Sequence, residues 1–158
     1  MSATILDGKA IAAEIRAEAA SAAQQLIDAG TTPALAVVLI GNNPASAAYV
    51  GSKIKACAEC GIESIERTAD SDISESELLS IINDLNNDAS VHGILVQLPL
   101  PDHIDENSII EAVHPDKDVD GFHPINTGRL VAGSECLAPC TPAGIPELIS
   151  RSGFTTSG

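Results

Sequence analysis

Aromatic and positively charged residues are scarce in this chain. Its 158 residues include one Tyr, two Phe and no Trp, and 8 Lys and Arg stand against 22 Asp and Glu. The formal net charge of −14 argues against nucleic acid and anionic membrane surfaces as partners, because both need clustered cations. No apolar run approaches the ~20 residues that cross a bilayer, and the first residues lack a signal-peptide pattern. We therefore expect a cytoplasmic protein.

Length and composition suffice for one folded domain. A chain of about 150 residues buries roughly 70% of the surface that its unfolded form exposes, so it needs no disulfide or metal to fold. A content of 44% hydrophobic and 19% charged residues argues against disorder. The acid is concentrated, with 16 acidic residues from Glu59 to Asp120 against Arg67 and Lys117 alone. This concentration is typical of a solvated acidic surface.

Helical and strand patterns alternate along the chain. Apolar residues near a 3.6-residue spacing predict a helix over residues 7–29, and the apolar run at residues 34–40 is typical of a strand covered on both faces. The alternation predicts an α/β sandwich with a mostly parallel sheet. The other predicted elements are helices over residues 45–60, 74–87, 105–113 and 142–150 and strands over residues 62–68 and 93–98.

Residue types at the helix starts support these predictions. No helix is predicted at residues 115–133, a Pro- and Gly-rich stretch that is too long and too polar for a simple connection. The predicted capping pairs are Asn43 before Pro44, Ser74 with Glu77, and Thr141 before Pro142.

Tyr49 and Lys53 lie one turn apart on the same face of the second predicted helix. An ammonium beside a phenol favours the phenolate and burial favours a neutral amine, so either group could be a general acid or base. A surface lysine along an amphipathic tyrosine explains the same spacing. Tyr-x-x-x-Lys also occurs in short-chain dehydrogenases, but Gly8, Gly30 and Gly41 do not form the G-x-G-x-x-G loop that those enzymes carry.

Two polar stretches follow the third predicted strand. Gln97 ends that strand, and the carboxyl ends of parallel strands line the ligand crevice. A buried amide there needs partners from a ligand or, alternatively, from its own loop. Residues 116–121 (DKDVDG) resemble a calcium loop, but Thr127 occupies the position of the bidentate Glu. The carboxylate turn could instead accept paired N–H donors from a heterocycle, or be an ordinary Asx turn.

The cysteines and histidines give no metal prediction. C-x2-C and C-x3-C pairs lie about 75 residues apart, which is not the spacing of zinc fingers. No H-x3-H pattern occurs, and we expect each histidine to be structural or solvated. The cysteines are Cys57, Cys60, Cys136 and Cys140.

Four motifs occur in order along the chain. They are YVGSK at residues 49–53 with Gly61 after it, VHGILVQLPLP at 91–101, PDKDVDGFHPIN at 115–126 and PCTPAG at 139–144. With LDGKA at 6–10, this series closely resembles the bifunctional methylenetetrahydrofolate dehydrogenase/methenyltetrahydrofolate cyclohydrolase family (FolD type). The resemblance covers nearly the whole chain.

The resemblance implies the oxidation of 5,10-methylenetetrahydrofolate with NADP and the hydrolysis of the methenyl product to 10-formyltetrahydrofolate. By resemblance, Lys53 is the catalytic lysine, and Tyr49 packs on the folate near the reacting centre. Gln97 orients Lys53 and helps to set its protonation, while Asp120 holds the pterin ring by its amino and ring N–H groups. The implied fold is a three-layer α/β/α sandwich, like the N-terminal domain of amino-acid dehydrogenases, in a homodimeric protein.

The family also carries a Rossmann-type domain that binds NADP or NAD. We expect residues 1–150 to form the folate-side catalytic domain and residues 151–158 to begin the linker to that second domain. For the chain by itself we expect no nicotinamide binding and little dehydrogenase activity. A catalytically silent folate-binding or interaction domain is the alternative. Another amino-acid-dehydrogenase-like domain ranks lower, because it would lack the set of four site residues.

Overall fold

The computed structural model describes residues 5–153, so residues 154–158 of the expected linker at residues 151–158 lie outside the described part. Among residues 5–153, no helix is both long and apolar enough to cross a membrane. The elements in chain order are α1 (Gly8–Asp28), β1 (Ala34–Ile40), α2 (Pro44–Glu59), β2 (Glu63–Ala69), α3 (Glu75–Asn87), β3 (Gly93–Val96), α4 (Glu106–Ala112), α5 (Pro124–Val131) and α6 (Cys140–Arg151).

The three described strands form a parallel sheet in the order β2-β1-β3. The central strand β1 is apolar throughout because helices cover both of its faces. Ala36 and Val38 belong to a core shared with α3 and α4, whereas Val37 packs with Val50 of α2 on the opposite face. The predicted three-layer α/β/α sandwich is therefore confirmed.

Side-chain caps begin two of the helices at the predicted residues. Asn43 Oδ1 accepts the first free backbone N–H groups of α2 at 2.9 and 3.3 Å. Ser74 and Glu77 form the reciprocal capping box of α3, in which each side chain accepts the backbone N–H of the other residue. Both helices start where the sequence places them because these short polar side chains satisfy amides that have no helical partner.

The predicted start of the last helix was wrong. The N-cap of α6 is Pro139, without a side-chain hydrogen bond, and the helix begins at Cys140. Thr141 therefore lies inside the first turn. Pro142 is tolerated as the third helical residue because N–H groups of the first turn have no intrahelical acceptor.

Two further elements differ from the predictions. β3 ends at Val96, two residues early, and Gln97 keeps one sheet bond, its N–H to Val38 O at 2.9 Å. The helix α5 lies within the stretch where none was predicted. His123 begins it, since its Nδ1 accepts the N–H of Ile125 at 3.0 Å, and Pro124 is the first helical residue. The pair His-Pro was the local signal for this helix.

Candidate functional site

A pocket of about 320 Å³ lies at the carboxyl edge of the sheet. Its walls come from α2, from the residues that follow β3, from the loop after α4 and from the start of α6. Tyr49, Lys53, Gln97 and Asp120 all line it. The structure thus brings together the four side chains that the sequence pointed to, at the edge where parallel strands bind ligands.

The rotation of α2 about its axis places Tyr49 and Lys53 on the pocket side. Val50, between them, is buried against β1 and β3 and fixes that rotation. Lys53 Nζ lies 4.6 Å from the centroid of the Tyr49 ring, which is a cation–π contact. Tyr49 remains 58% exposed, so much of its ring is available to a ligand. None of the ion pairs within residues 5–153 includes Lys53.

Gln97 has one half of its side-chain amide paired and the other half free. Its Nε2 donates to Leu98 O at 2.7 Å, whereas Oε1 is buried without a hydrogen-bond partner in the described part of the chain. An unpaired buried polar atom costs on the order of 1–3 kcal/mol, so such atoms usually meet a partner. No hydrogen bond between described side chains joins Gln97 to Lys53. The orienting role of Gln97 therefore stays a prediction, and Oε1 is the acceptor that it would use.

The loop that carries Asp120 is tied to the sheet and to α3. A single parallel bridge pairs Asp118 with Ile94 of β3, and Ile94 N–H donates to Lys117 O at 2.7 Å. The ammonium of Lys117 donates to three carbonyl oxygens at the end of α3, at 3.1, 2.8 and 2.8 Å; these belong to Leu85, Asn86 and Asp88. The chain on the N-terminal side of Asp120 is therefore anchored to two elements.

Two glycines allow this loop to pack closely. A Cβ on Gly93 would stand 2.5 Å from Val119 Cγ1. Gly121 has a φ of +69°, and its Cβ would stand 2.6 Å from backbone atoms of Ala138 and Pro139. The loop therefore lies directly against the segment that leads into α6, which brings Asp120 and the start of α6 to the same pocket.

Asp120 is a partly buried carboxylate with free acceptor capacity. Burial raises the pKa of the Asp120 carboxyl and the charge of Asp118 adds to this, whereas the Lys53 ammonium lowers it; the net shift is upward. No hydrogen bond within residues 5–153 uses the Asp120 carboxylate. Both of its oxygens can therefore accept N–H donors from a bound molecule.

Sequence reasoning assigned no role to several residues of this site. Apolar side chains complete the pocket, as is usual for sites that bind flat heterocycles. The motif at residues 139–144 marked the segment that forms the α6 side of the pocket, although its spacing alone did not predict this position. The additional lining residues are Leu95, Leu98, Val119, Phe122, Pro139, Cys140, Thr141 and Pro142.

The four cysteines all carry free thiols. Within residues 5–153, no group of three His, Cys, Asp or Glu side chains is arranged to hold a metal ion.

Comparison with known proteins identifies a family to which this chain is similar. A family model described as tetrahydrofolate dehydrogenase/cyclohydrolase, catalytic domain, matches residues 6–120. The bifunctional protein FolD of Brevibacillus brevis is 53% identical over 158 residues, which cover 100% of this chain and 56% of that protein. The bifunctional protein FolD of Bacillus subtilis is 51% identical over 158 residues, with the same coverage. The chain thus spans about half the length of the curated relatives it matches.

Solved structures share the fold. The bifunctional enzyme FolD, methylenetetrahydrofolate dehydrogenase/cyclohydrolase, from Campylobacter jejuni matches with a TM-score of 0.96 and 51% identity, over 98% of this chain and 55% of that one. FolD of Trypanosoma brucei, solved with NADP cofactor and an inhibitor, matches with a TM-score of 0.93 and 32% identity, over 100% of this chain and 55% of that one.

Proposed function

The chain belongs to the tetrahydrofolate dehydrogenase/cyclohydrolase family, and from that premise we propose that it is the folate-side catalytic domain of a bifunctional enzyme of one-carbon metabolism. In this proposal the intact enzyme oxidises 5,10-methylenetetrahydrofolate with NADP and hydrolyses the 5,10-methenyl product to 10-formyltetrahydrofolate. The observation that carries the proposal is the meeting of Tyr49, Lys53, Gln97 and Asp120 around one pocket.

Binding of the folate is divided between Asp120 and Tyr49. The free oxygens of Asp120 accept the amino and ring N–H groups of the pterin, a paired contact that fixes both position and orientation. The exposed face of Tyr49 packs on the neighbouring part of the folate. These contacts place the carbon between N5 and N10 beside Lys53.

Lys53 is the base of the hydrolysis. Water adds to the methenyl carbon, whose positive charge is shared by N5 and N10, and Lys53 as the neutral amine takes one proton of that water. When the bond from carbon to N5 breaks, the hydroxyl proton of the adduct passes to N5 and the proton on Lys53 passes to solvent. The product is the 10-formyl compound.

Gln97 supports this step as a partner of Lys53. Its buried Oε1 lacks a donor in the described part of the chain, and an ammonium on Lys53 could supply one. The hydrogen bond from Nε2 to Leu98 O fixes the orientation of the amide and leaves Oε1 as the free acceptor. In this proposal Gln97 orients Lys53 and helps to set its protonation.

NADP supplies the hydride acceptor of the oxidation in this proposal, through a part of the intact protein outside this chain. The loop from β1 to α2 does not fit a dinucleotide: it has one glycine, Gly41, and Asn43 Oδ1 already accepts the first amides of α2. The dinucleotide complex of the Trypanosoma brucei protein is consistent with NADP as the cofactor of the whole enzyme.

The organisation of the intact protein is also a proposal. Residues 1–150 form the folate-side domain, and residues 151–158 begin the linker to a Rossmann-type domain; the coverage of about half of each curated relative supports this. A homodimer in the cytoplasm follows from the family resemblance alone. Sequencing the reading frame beyond Gly158 tests the domain proposal, since a strand, glycine-rich loop and helix should follow.

The decay of methenyltetrahydrofolate absorbance tests the catalytic proposal. We expect the chain to accelerate decay above buffer and Lys53→Met to lower that acceleration by at least about 100-fold, the usual contribution of a general base. Lys55→Met is the matched control, because Lys55 lies on the same helix, is largely exposed and, within residues 5–153, forms an ion pair only with Glu59. It should keep the rate of the unchanged chain.

The same assay separates the alternative function. If the chain binds 5-formyltetrahydrofolate but methenyltetrahydrofolate decays in its presence at the buffer rate, the chain is a catalytically silent folate-binding domain. A chain that neither binds nor accelerates contradicts both functions.

A further inference from the structure

Asp118 is a buried carboxylate next to the site that has no direct contact with the pocket. It is 5% exposed and accepts three hydrogen bonds. Its Oδ1 accepts the N–H of Gly121 at 3.1 Å. Its Oδ2 accepts the N–H of His123 at 2.9 Å and Nδ2 of Asn126 at 3.1 Å. One side chain therefore closes the turn on both sides of residue 122.

We propose that Asp118 is the positioning residue of the pterin-binding carboxylate of Asp120. This inference rests on the proposed function and deepens it. The pairing of main chain 117–119 with Ile94 anchors the chain before Asp120, and the three hydrogen bonds to Asp118 anchor it afterwards. Asp120, one residue from each anchor, is held with its carboxylate in the pocket and needs no hydrogen bond of its own.

Asn126 extends this arrangement into α5. The residue is 1% exposed, and its Nδ2 also donates to Pro115 O at 2.7 Å. The start of the loop, its turn and the first turns of α5 are thereby joined through one carboxylate and one amide. A buried carboxylate that accepts three hydrogen bonds is sensitive to replacement by an amide. An amide has one oxygen, and its NH2 group would face an N–H group that now donates to the carboxylate.

A double-mutant cycle with 5-formyltetrahydrofolate as the probe tests this role in the 158-residue chain. Affinity is measured by titration for the unchanged chain, Asp118→Asn, Asp120→Asn and the double variant. If Asp118 acts through Asp120, Asp118→Asn weakens binding about tenfold in the unchanged chain and about threefold or less in the Asp120→Asn background. Asp116→Asn is the matched control; Asp116 is exposed, pairs with Arg129 and should keep the affinity unchanged.

A second cycle tests whether the reduced effect of Asp118→Asn is specific to the Asp120→Asn background. In a Tyr49→Ala background, Asp118→Asn should again cost about tenfold, because Tyr49 and Asp118 do not share a partner. Asn126→Ala, which removes one of the three donors to Asp118, should give a smaller loss and covers the case in which Asp118→Asn unfolds.

Three results overturn the inference. The first is that Asp118→Asn binds the probe as tightly as the unchanged chain. Where Asp118→Asn unfolds, the corresponding result is that Asn126→Ala binds it as tightly as the unchanged chain. Another is a loss above about threefold that persists in the Asp120→Asn background, which would show that Asp118 acts on the fold as a whole. The last is an unchanged chain that binds no 5-formyltetrahydrofolate, which contradicts the proposed function and this inference together.

Discussion

At the scale of single residues, Asp120 shows a conflict between stability and binding. Burial raises the pKa of its carboxyl above the ordinary value of 3.8. A carboxyl whose pKa is raised in the fold contributes stability below pH 3.8, and that contribution is lost as the pH rises through the raised pKa. At neutral pH the ionised group therefore opposes folding, while its two acceptor oxygens serve ligand binding.

Asp120→Asn should consequently raise the melting temperature at pH 7 and weaken 5-formyltetrahydrofolate binding by at least about tenfold. The unchanged chain should lose affinity as the pH falls through the raised pKa of Asp120, because a protonated carboxyl loses one acceptor. The variant should not show that decline. Thermal unfolding and titration from pH 7 to pH 4 measure both effects, and the same pH profile in both proteins would contradict this assignment.

At the scale of elements, the loop between α4 and α5 decides the shape of the pocket. Gly121 combines a φ of +69° with backbone atoms only 2.6 Å from where a Cβ would lie. If an alanine replaced Gly121, neither its backbone nor its Cβ could move without separating Asp120 from the start of α6. The sequence shows a glycine at this position and predicts a turn, but the close approach of residues 137–139 is visible only in the fold.

Gly121→Ala should therefore lower the free energy of unfolding by about 1–3 kcal/mol and reduce folate affinity. Gly128→Ala is the control, because Gly128 lies in α5 and has no atom within 4 Å of the position that a Cβ would take. The free energy of unfolding of this variant should equal that of the unchanged chain or exceed it by about 0.5–1 kcal/mol. Denaturant unfolding of both variants makes the comparison. Equal stabilities for the two would refute the steric argument.

At the scale of the whole molecule, the net charge of −14 sets an electrostatic cost of folding. A compact chain brings its acidic groups closer together than an unfolded chain does, so their repulsion opposes folding until salt screens it. Some local pairs offset this repulsion. Arg151 of α6 donates to Glu18 of α1 at 2.6 and 2.7 Å and to Glu147 at 2.8 Å.

The melting temperature should therefore rise by about 5 °C between 0.01 and 0.5 M NaCl, since the Debye length shortens from about 30 Å to a few ångströms. KCl at the same ionic strength should produce the same rise, because screening does not depend on the identity of the cation. A melting temperature that stays constant or falls with salt would show that the acidic surface does not limit stability.

The sequence alone determined the alternation of helices and strands, the parallel sheet and most helix starts, because periodicity and capping are local properties. It also identified four side chains by motif, of which Gln97 and Asp120 lie in loops whose paths it could not predict. The tertiary structure decided that these side chains line one pocket, that α5 and α6 begin at residues 124 and 140, and that Asp118 is a buried acceptor. These features depend on contacts between distant residues, such as Gly121 with Ala138 or Lys117 with the end of α3, which no local pattern records.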